Sequence, residues 1–296
     1  MSRARRPGPS TRVRIHEVAT ADGHQDTVVR VHEDRLATEE PLELRLAWPG
    51  RPAHRVAVTM RTPGHDFELA TGFLYGEGVL ASADDLRTVA YCTDVTLAPG
   101  QEFNVVTVEL SRPPRRAPSG RYAGLSAASS ACGVCGSESV GDVLALCELR
   151  PSPGLADPWA GLRLSHDVLV GLPDRLRDEQ RVFDSTGGLH AAGLFDEHGT
   201  PSVVREDVGR HNAVDKVVGA RVLAGERPSA AVLCVSGRIG FEIAQKAVVA
   251  GVGVLAAVGA PSSLAVELAQ RAGLCTAGFV RNGRFVVYSA PDRLGV

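Results

Sequence analysis

The residues Ala230-Ala-Val-Leu-Cys-Val235 form a continuous apolar run, and a second run, Val252 to Val258, follows after the segment Phe241 to Ala250. Each run has the length and composition of a buried strand, whereas the segment between them has helical spacing. Apolar strands that are separated by helices indicate a parallel or mixed sheet with helices on both faces. The sequence therefore predicts an α/β fold around this stretch.

The sequence on either side of this stretch continues the alternation of strands and helices. A hairpin is predicted around the turn Asp-Glu-His-Gly199, and a second one around Asn282-Gly283, which is a typical two-residue hairpin turn. The other predicted elements of this half are helices from Arg210 to Leu223 and from Ser262 to Ala272, and strands at Gly188–Phe195, Pro201–Arg205, Thr276–Val280 and Arg284–Tyr288.

The first half of the chain has a different pattern. Period-two alternation predicts strands, and the stretch from Thr62 to Gly78 changes to helical spacing. The clearest linker signal is the proline-rich stretch Arg112 to Gly120. We therefore predict a disordered tail over 1–11, a smaller β-rich α+β subdomain over 12–111, a linker with a mobile cysteine loop over 112–139, and an α/β ligand-binding domain over 140–296. The predicted strands of the first half are Arg12–Val18, Asp26–His32, Leu42–Leu46, Arg55–Met60 and Asn104–Leu110.

The composition excludes several classes of protein. The chain has 296 residues, 44% of them hydrophobic, and a formal net charge of −2, so it can form a core and lacks the basic excess of a nonspecific nucleic-acid or membrane binder. Six cysteines are too few for a disulfide scaffold. The basic N-terminus has no apolar segment after it, so a secretory signal is not expected. We expect a cytoplasmic protein that binds neither nucleic acid nor membranes.

The two cysteines Cys132 and Cys135 are the strongest chemical signal in the sequence. They lie three positions apart among small residues, so an exposed loop is expected, and a helix predicted from Ser137 to Cys147 would direct its positive end at the thiols. Such an environment favours the reactive thiolate. The spacing favours redox or sulfur chemistry, while half a zinc site or a structural pair stays open.

Polar residues follow three predicted strands of the second half. These segments are Arg205 to Lys216, Ser236-Gly-Arg238 and Gly259 to Ser263, and they contain His211, whose helix also carries Asp215 one turn later. In open α/β sheets, ligands bind beyond the carboxyl ends of the strands. Arginines next to helix starts are suited to phosphates. Each segment alone could be a helix cap, a surface pair or a turn, but together they predict an anionic, phosphate-bearing ligand.

The chain also resembles a known family through a series of ordered motifs. They place it beside the formate dehydrogenase accessory sulfurtransferase family, FdhD, over about residues 13 to 290, and the run containing Asp-Val-Gly-Arg-His-Asn212 is very specific. The motifs are Thr62-Pro-Gly64, Glu68-Leu-Ala-x-Gly-Phe-Leu-x-x-Glu-Gly78, Ser130-x-Cys-Gly-Val-Cys-Gly136, Phe183-x-x-Thr-Gly-Gly-x-His190, Arg205-Glu-Asp-Val-Gly-Arg-His-Asn-Ala-Val-Asp-Lys216, Ser236-Gly-Arg-x-x-x-Glu-x-x-x-Lys246 and Ala260-Pro-Ser-Ser-Leu-Ala265.

The resemblance implies a sulfurtransferase that acts as a sulfur carrier. Such a protein accepts sulfane sulfur from a cysteine desulfurase and gives it to the molybdenum of bis-molybdopterin guanine dinucleotide before that cofactor enters the catalytic subunit of formate dehydrogenase. It also implies a homodimer and a C-terminal half similar in fold to cytidine deaminases. Cys132 matches the family's persulfide cysteine, and Cys135 matches its helper. Cys135 would either resolve the persulfide by forming a disulfide with Cys132 or relay the sulfur. The expected cofactor contacts are Phe279, Val280, Arg281, Asn282, Gly283 and Arg284. The polar segments that follow the predicted strands add His211 and Arg238 to these contacts.

The residues also bear on three other functions. A zinc deaminase needs His-x-Glu before Pro-Cys-x-x-Cys, and neither motif is present, so no catalytic or structural metal is expected. A thioredoxin-like oxidoreductase would need a strand before Cys132, where the sequence is mostly small and polar. A chaperone that holds the cofactor without covalent sulfur transfer stays open.

Overall fold

The structure, a computed structural model, describes residues 6–20, 27–92, 102–114, 116, 141, 143–145 and 158–296. The predicted cysteine loop, with Cys132 and Cys135, lies outside these ranges. Of the helix predicted from Ser137 to Cys147, only 141 and 143–145 are described, and they are helical.

The first half of the chain contains a hairpin, a four-stranded sheet and one helix. Strands β1 and β2 pair antiparallel as the hairpin, and the order within the sheet is β4-β3-β6-β5. The elements are β1 (Ser10–Thr20), β2 (Thr27–Ala37), β3 (Glu40–Trp48), β4 (Arg51–Arg61), α1 (Asp66–Gly76), β5 (Leu86–Tyr91) and β6 (Val105–Leu110), with short 3₁₀ turns at Ala83–Asp85 and Glu102–Asn104.

The second half contains a six-stranded sheet of order β12-β11-β10-β9-β7-β8. Its segments β9–α5–β10 and β10–α6–β11 are the strand–helix–strand units that the apolar runs predict. The elements are α2 (His166–Asp178), α3 (Arg181–Thr186), β7 (His190–Phe195), β8 (Pro201–Asp207), α4 (Arg210–Leu223), β9 (Val232–Val235), α5 (Phe241–Ala250), β10 (Val254–Ala257), α6 (Ser263–Ala272), β11 (Cys275–Arg281) and β12 (Arg284–Ser289), followed by a 3₁₀ turn at Pro291–Leu294.

The strand directions bring several polar segments to one edge of this sheet. Strands β9, β10 and β11 are mutually parallel, and β8 runs with them because both β8 and β9 are antiparallel to β7. The carboxyl ends of β8, β9, β10 and β11 therefore lie at one edge, where β7 and β12 begin. We call this the carboxyl edge.

Helices cover both faces of the six-stranded sheet, so the predicted mixed α/β architecture is confirmed. Helices α4, α5 and α6 pack on one face through a core that includes Leu233, Leu255 and Val217, while α2 covers the other face through Leu169 and its neighbours. The first of these cores continues into the four-stranded sheet and α1. Burial of apolar side chains on both faces explains why the strands are apolar throughout.

Helices α1 and α4 connect the two halves through main-chain contact. A Cβ atom added to Gly72 would lie 1.8 Å from the carbonyl oxygen of Asp215, and one added to Gly219 would lie 1.8 Å from that of Glu68. Only glycine permits so close an approach. Beside this crossing, Arg205 of β8 donates two hydrogen bonds to Glu68, of 2.6 and 2.8 Å.

Most of the predicted elements agree with the structure, which also contains three elements that the sequence pattern did not predict, the strand β5 and the helices α2 and α3. Helices over Arg210–Leu223 and Phe241–Ala250 are confirmed to the residue, and the strands differ at their ends by a few residues. Helix α2 was not predicted because Pro173 interrupts its pattern. The cap at Ser165 and the apolar spacing of Leu169, Leu172 and Leu176 could have revealed it.

Candidate functional site

The main chain at the carboxyl edge is tightly packed across three neighbouring strands. The amide of Gly259, just after β10, donates to the carbonyl of Gly237 at 3.1 Å, and the amide of Phe279 in β11 donates to the carbonyl of Gly259 at 3.1 Å. A Cβ atom at Gly259 would lie 3.0 Å from the Gly237 oxygen and 2.9 Å from Cγ of Arg238. Two glycines thus hold the loops after β9 and β10 against each other.

Strand β11 is distorted where it reaches this edge. Its pairing with β12 shifts register between Gly278 and Arg281, and Phe279 within that bulge has a φ of 53°. A bulky residue in the left-handed region is strained, and bulges and strained residues are found often beside functional sites. The distortion places the guanidinium carbon of Arg281 at 5.8 Å from the centre of the Phe279 ring.

The turn from β11 to β12 presents two arginines side by side. Asn282 and Gly283 both have positive φ, of 52° and 71°, as a type I′ turn requires, so the predicted hairpin turn is confirmed. Arg281 and Arg284 pair directly across this turn, and both are exposed. Like charges that are opposite each other on a hairpin repel. A bound anion would relieve this repulsion.

A third arginine lies at the start of α4, near the first residue of β7. The side chains of His190 and Arg210 both lie beside Gly237, whose added Cβ would be 3.4 Å from Nδ1 of His190 and 3.8 Å from Cδ of Arg210. The Nε of Arg210 is buried and has no hydrogen-bond partner within the part of the chain that the structure describes. Burial and the charge of Arg210 lower the pKa of His190, which is therefore neutral near pH 7.

The next residue of α4 contacts α5. Nε2 of His211 lies 3.2 Å from a carboxylate oxygen of Glu242. Burial lowers the pKa of His211 to about 4, although the charge of Glu242 opposes this shift. At neutral pH the ring is therefore uncharged, with its Nε2 beside the carboxylate of Glu242.

Helices α4 and α5 both begin at this edge without a side-chain cap. Their N-cap residues are Gly209 and Gly240. The amides of the first turn of such a helix are available to an anion. At the start of α6 the situation is different, because the hydroxyl of Ser262 accepts the amide of Ala265. For the segment Gly259 to Ser263, the helix-cap alternative is therefore the one that the hydroxyl of Ser262 fulfils.

The other polar residues of these helices stabilise the fold. Asp215 bonds to Lys246 of α5 at 2.7 Å, and Lys216 bonds to Asp207 at the end of β8 at 2.7 Å, in each case with little or no exposure. The amide side chain of Asn212 also donates to Asp207. The polar pairs therefore form between elements, whereas the sequence suggested pairs along one helix surface, as between His211 and Asp215.

The predicted ligand contacts are at or near this edge, with differences in exposure. Arg238 is exposed in the loop after β9, and the side chain of Val280 is fully buried in the core beneath the sheet, so only its main chain can reach a ligand. His190 and Arg210 were not among the predicted site residues, although both belong to motifs that carry the family resemblance. Arg210 belongs to a segment that the sequence already predicts at a strand end, whereas His190 reaches this edge because β7 runs antiparallel to β9, which the sequence pattern does not reveal.

The described part of the chain contains neither a group of potential metal ligands nor a candidate membrane-spanning helix. Within the ranges given above, no three His, Cys, Asp or Glu side chains are grouped so that they could hold a metal ion. No described helix has the length and apolarity needed to span a membrane.

Comparison with known proteins identifies the family. The profile of the FdhD/NarQ family matches residues 37–295. A protein named sulfur carrier protein FdhD from Streptomyces avermitilis is 48% identical over 92% of this chain and 93% of its own length. The protein of that name from Mycobacterium tuberculosis is 45% identical over 88% of this chain and 92% of its own.

A solved structure supports the fold. A crystal structure from Desulfotalea psychrophila, described as a formate dehydrogenase accessory protein, superposes with a TM-score of 0.66 at 23% identity and covers 96% of this chain and 99% of that one. The family profile and the relatives each match most of the sequence. The chain belongs to the FdhD/NarQ family.

Proposed function

We propose that this protein is a sulfur carrier for the maturation of formate dehydrogenase, as the names of its relatives suggest. In this proposal it receives sulfane sulfur on Cys132 from a cysteine desulfurase. It then gives that sulfur to the molybdenum of bis-molybdopterin guanine dinucleotide, a client that is handed to the catalytic subunit of formate dehydrogenase. The protein would thus act as a sulfurtransferase.

The carboxyl edge is the observation that carries this proposal. Three arginines, Arg210, Arg281 and Arg284, lie at this edge, one with a buried Nε lacking a described partner and two placed opposite each other. Uncapped helix starts add main-chain amides. All of these groups favour an anion. A guanine dinucleotide carries phosphates that fit this set of donors.

Acceptance of sulfur requires one thiolate. In the proposed first step the Cys132 thiolate attacks the outer sulfur of the donor persulfide, so that a new S–S bond forms on Cys132 and the donor cysteine leaves as a thiolate. Thiolate attack on a sulfur–sulfur bond is the ordinary route of such exchange. No net oxidation or reduction takes place, because one S–S bond replaces another.

Delivery of the sulfur as sulfide requires two electrons. Cys135 could supply them by attacking the Cys132 sulfur, which would release sulfide to the metal and close a disulfide between the two cysteines. In a relay, Cys135 would instead take over the persulfide. The four other cysteines are not needed in either route, and burial raises the pKa of Cys234 to about 12, so that thiol is protonated and unreactive.

Intact-mass analysis after treatment with a cysteine desulfurase and cysteine tests the carrier step. The wild-type protein is expected to gain the mass of one sulfur, which a reductant removes, and Cys132→Ala is expected to gain none. Cys92→Ala removes a half-buried thiol just after β5. This variant serves as the matched control and should behave as wild type.

Intact mass, together with an assay of formate dehydrogenase maturation, separates the alternatives. A chaperone without covalent transfer would mature formate dehydrogenase equally well with Cys132→Ala. A thiol oxidoreductase would need both cysteines and would carry no sulfur. If Cys135→Ala loses the added mass while Cys132→Ala keeps it, the two roles are reversed.

Calorimetry with guanosine diphosphate tests the ligand site. Binding is expected to weaken about 10- to 100-fold in Arg284→Ala, since a charge-assisted hydrogen bond to phosphate contributes roughly 1.5–3 kcal/mol. The control is Arg163→Ala, which removes an exposed arginine near the opposite edge of the sheet. Equal affinity of Arg284→Ala and the wild type would remove the β11–β12 turn from the site.

A further inference from the structure

One carboxylate lies among the basic groups of the carboxyl edge. Glu242 is in the first turn of α5, which begins at this edge, and its side chain is 24% exposed. Its Oε2 lies 3.2 Å from Nε2 of His211, and the charges of Glu242 and Arg210 both act on that ring. A carboxylate repels the phosphates that the arginines attract. The ligand must therefore meet Glu242 with a different group, one that donates hydrogen bonds.

The carboxylate of Glu242 also has an oxygen without a partner. Within the part of the chain that the structure describes, the contact with His211 is its only hydrogen-bond or ion-pair contact, and it involves Oε2. Two buried carboxylates near the same helices are satisfied inside the protein, because Asp215 bonds to Lys246 and Asp207 bonds to a lysine of α4. A carboxylate has about four lone-pair sites, so Oε1 of Glu242 can accept from a ligand.

The distance between Glu242 and the arginine turn suits a nucleotide. Helix α5 follows β9, and the turn with Arg281 and Arg284 follows β11, with β10 between these two strands. Neighbouring strands are ~4.8 Å apart, so two strand spacings separate these groups by roughly 10 Å along the edge. That separation is comparable with the reach of an extended nucleoside diphosphate from its base to its terminal phosphate. Phosphates at the turn would thus place the base near the start of α5.

We propose that Glu242 recognises the guanine base of the dinucleotide by accepting hydrogen bonds from its N1–H and its 2-amino group. The ligand is the one of the proposed function, on which this role rests. The two donors lie side by side on one edge of guanine, whereas adenine has an acceptor at N1 and hypoxanthine lacks the 2-amino group. The pterin rings of the same ligand carry the same pair of donors, so they are the second group from which Glu242 could accept.

Glu242 also has a structural role, which must be separated from recognition of the base. A negative charge in the first turn of a helix stabilises the positive end of that helix, and the contact with His211 links α5 to α4. Loss of this stabilisation would weaken the binding of every nucleotide by the same factor. Loss of base recognition would instead change the order of affinities among nucleotides that differ only in the base.

Calorimetry with three nucleotides tests this role. The wild type is expected to bind guanosine diphosphate about 10- to 100-fold more tightly than inosine diphosphate, which lacks one charge-assisted hydrogen bond. In Glu242→Gln the carboxamide has one acceptor and one donor group. This variant is expected to lose affinity for guanosine diphosphate by a similar factor. It should bind xanthosine diphosphate about 10-fold more tightly than the wild type does, because xanthine has a carbonyl in place of the 2-amino group.

A gain in xanthosine diphosphate binding is a result that a merely structural role would not produce. Glu267→Gln, the same substitution at an exposed position of α6, is the matched control and should keep the wild-type order of affinities. The pterin is tested with 6-hydroxymethylpterin. If the wild type binds this compound, Glu242→Gln does not, and both proteins bind guanosine diphosphate equally, the assignment to guanine is overturned and the carboxylate belongs to the pterin.

Results on the wild type separate this role from the proposed function. If the wild type binds guanosine and inosine diphosphates equally, or if Glu242→Gln keeps the wild-type preference, Glu242 does not recognise the base and the proposal is overturned. The gain of one sulfur by the wild type, measured by intact mass without any nucleotide, tests the carrier function independently. A wild type that binds no guanosine diphosphate would overturn both the ligand of the proposed function and the role of Glu242.

Discussion

Gly219→Ala is expected to reduce the free energy of unfolding by more than about 4 kcal/mol, which is a large share of the total for an ordinary domain. The added Cβ would lie 1.8 Å from the carbonyl oxygen of Glu68 and 2.7 Å from the amide nitrogen of Gly72, both in α1. Neither is a flexible side-chain end, so relief requires that α1 and α4 move apart as whole helices.

The separation of these helices would loosen the contact between the two halves of the molecule. The first core runs without interruption from the four-stranded sheet through α1 and α4 to the six-stranded sheet, so a gap at the crossing exposes or empties part of it. The ion pair between Glu68 and Arg205, next to the crossing, would also be strained. Gly72→Ala should have a similar effect, since its Cβ would lie 1.8 Å from the oxygen of Asp215.

Urea unfolding measures this effect, and Gly171→Ala is the matched control. Gly171 also lies within a helix, but the nearest atom to its added Cβ is Nε of Arg175 at 3.9 Å. There the substitution should stabilise the protein by roughly 0.5–1 kcal/mol through helix propensity. Equal stability of Gly219→Ala and the wild type would show that the helices do not approach as described.

Much of the six-stranded sheet could be predicted because its information is local. Apolar runs of strand length, helix-spaced segments and the Asn282-Gly283 turn each depend on a few neighbouring residues, and their bounds agree with the structure. The close crossing of α1 and α4 could not be predicted in this way. A glycine within a helical pattern, such as Gly72, shows in the sequence only as a residue of low helix propensity. The residues that it contacts are in another part of the chain, so the sequence around it does not reveal them.

The candidate site could be predicted only in part, because its local chemistry is visible in the sequence but its contacts between distant segments are not. The polar segments after the strands could be found, since the chemistry of each segment is visible in the sequence. Which residue contacts which depends on how the helices are oriented. His211 and Asp215 are one turn apart on α4, yet they bond to Glu242 and Lys246, which are one turn apart on α5. The unpaired Nε of Arg210 within the described chain likewise follows from packing alone.

Lys216→Met is expected to lower the free energy of unfolding by about 3 kcal/mol, at the lower end of the range for a broken buried ion pair. Nζ of Lys216 lies 2.7 Å from a carboxylate oxygen of Asp207, and neither side chain is exposed by more than 1%. Nζ also donates to the carbonyl of Thr62 at 3.0 Å. Methionine fills a similar volume without the charge, so Asp207 would be left as a buried anion.

The lower end of the range is expected because Asp207 keeps other donors. It accepts hydrogen bonds from the amides of Thr62 and Gly209 and from the side chain of Asn212. Arg221→Met, on the same helix, removes a partly exposed ion pair with Glu226 and should cost less than about 1 kcal/mol. A comparable loss of unfolding free energy in both variants would mean that the buried ion pair contributes no more to stability than the partly exposed one.

A double-mutant cycle with Asp207→Asn separates the charge from the packing. If the cost of Lys216→Met comes from an uncompensated buried anion, it should shrink once residue 207 is a neutral amide, so the double variant should be more stable than the sum of the single changes predicts. Additive costs would instead assign the loss to packing. Because Asp207 also holds the amide of Gly209 at the start of α4, each single variant should weaken binding of guanosine diphosphate at the carboxyl edge as well.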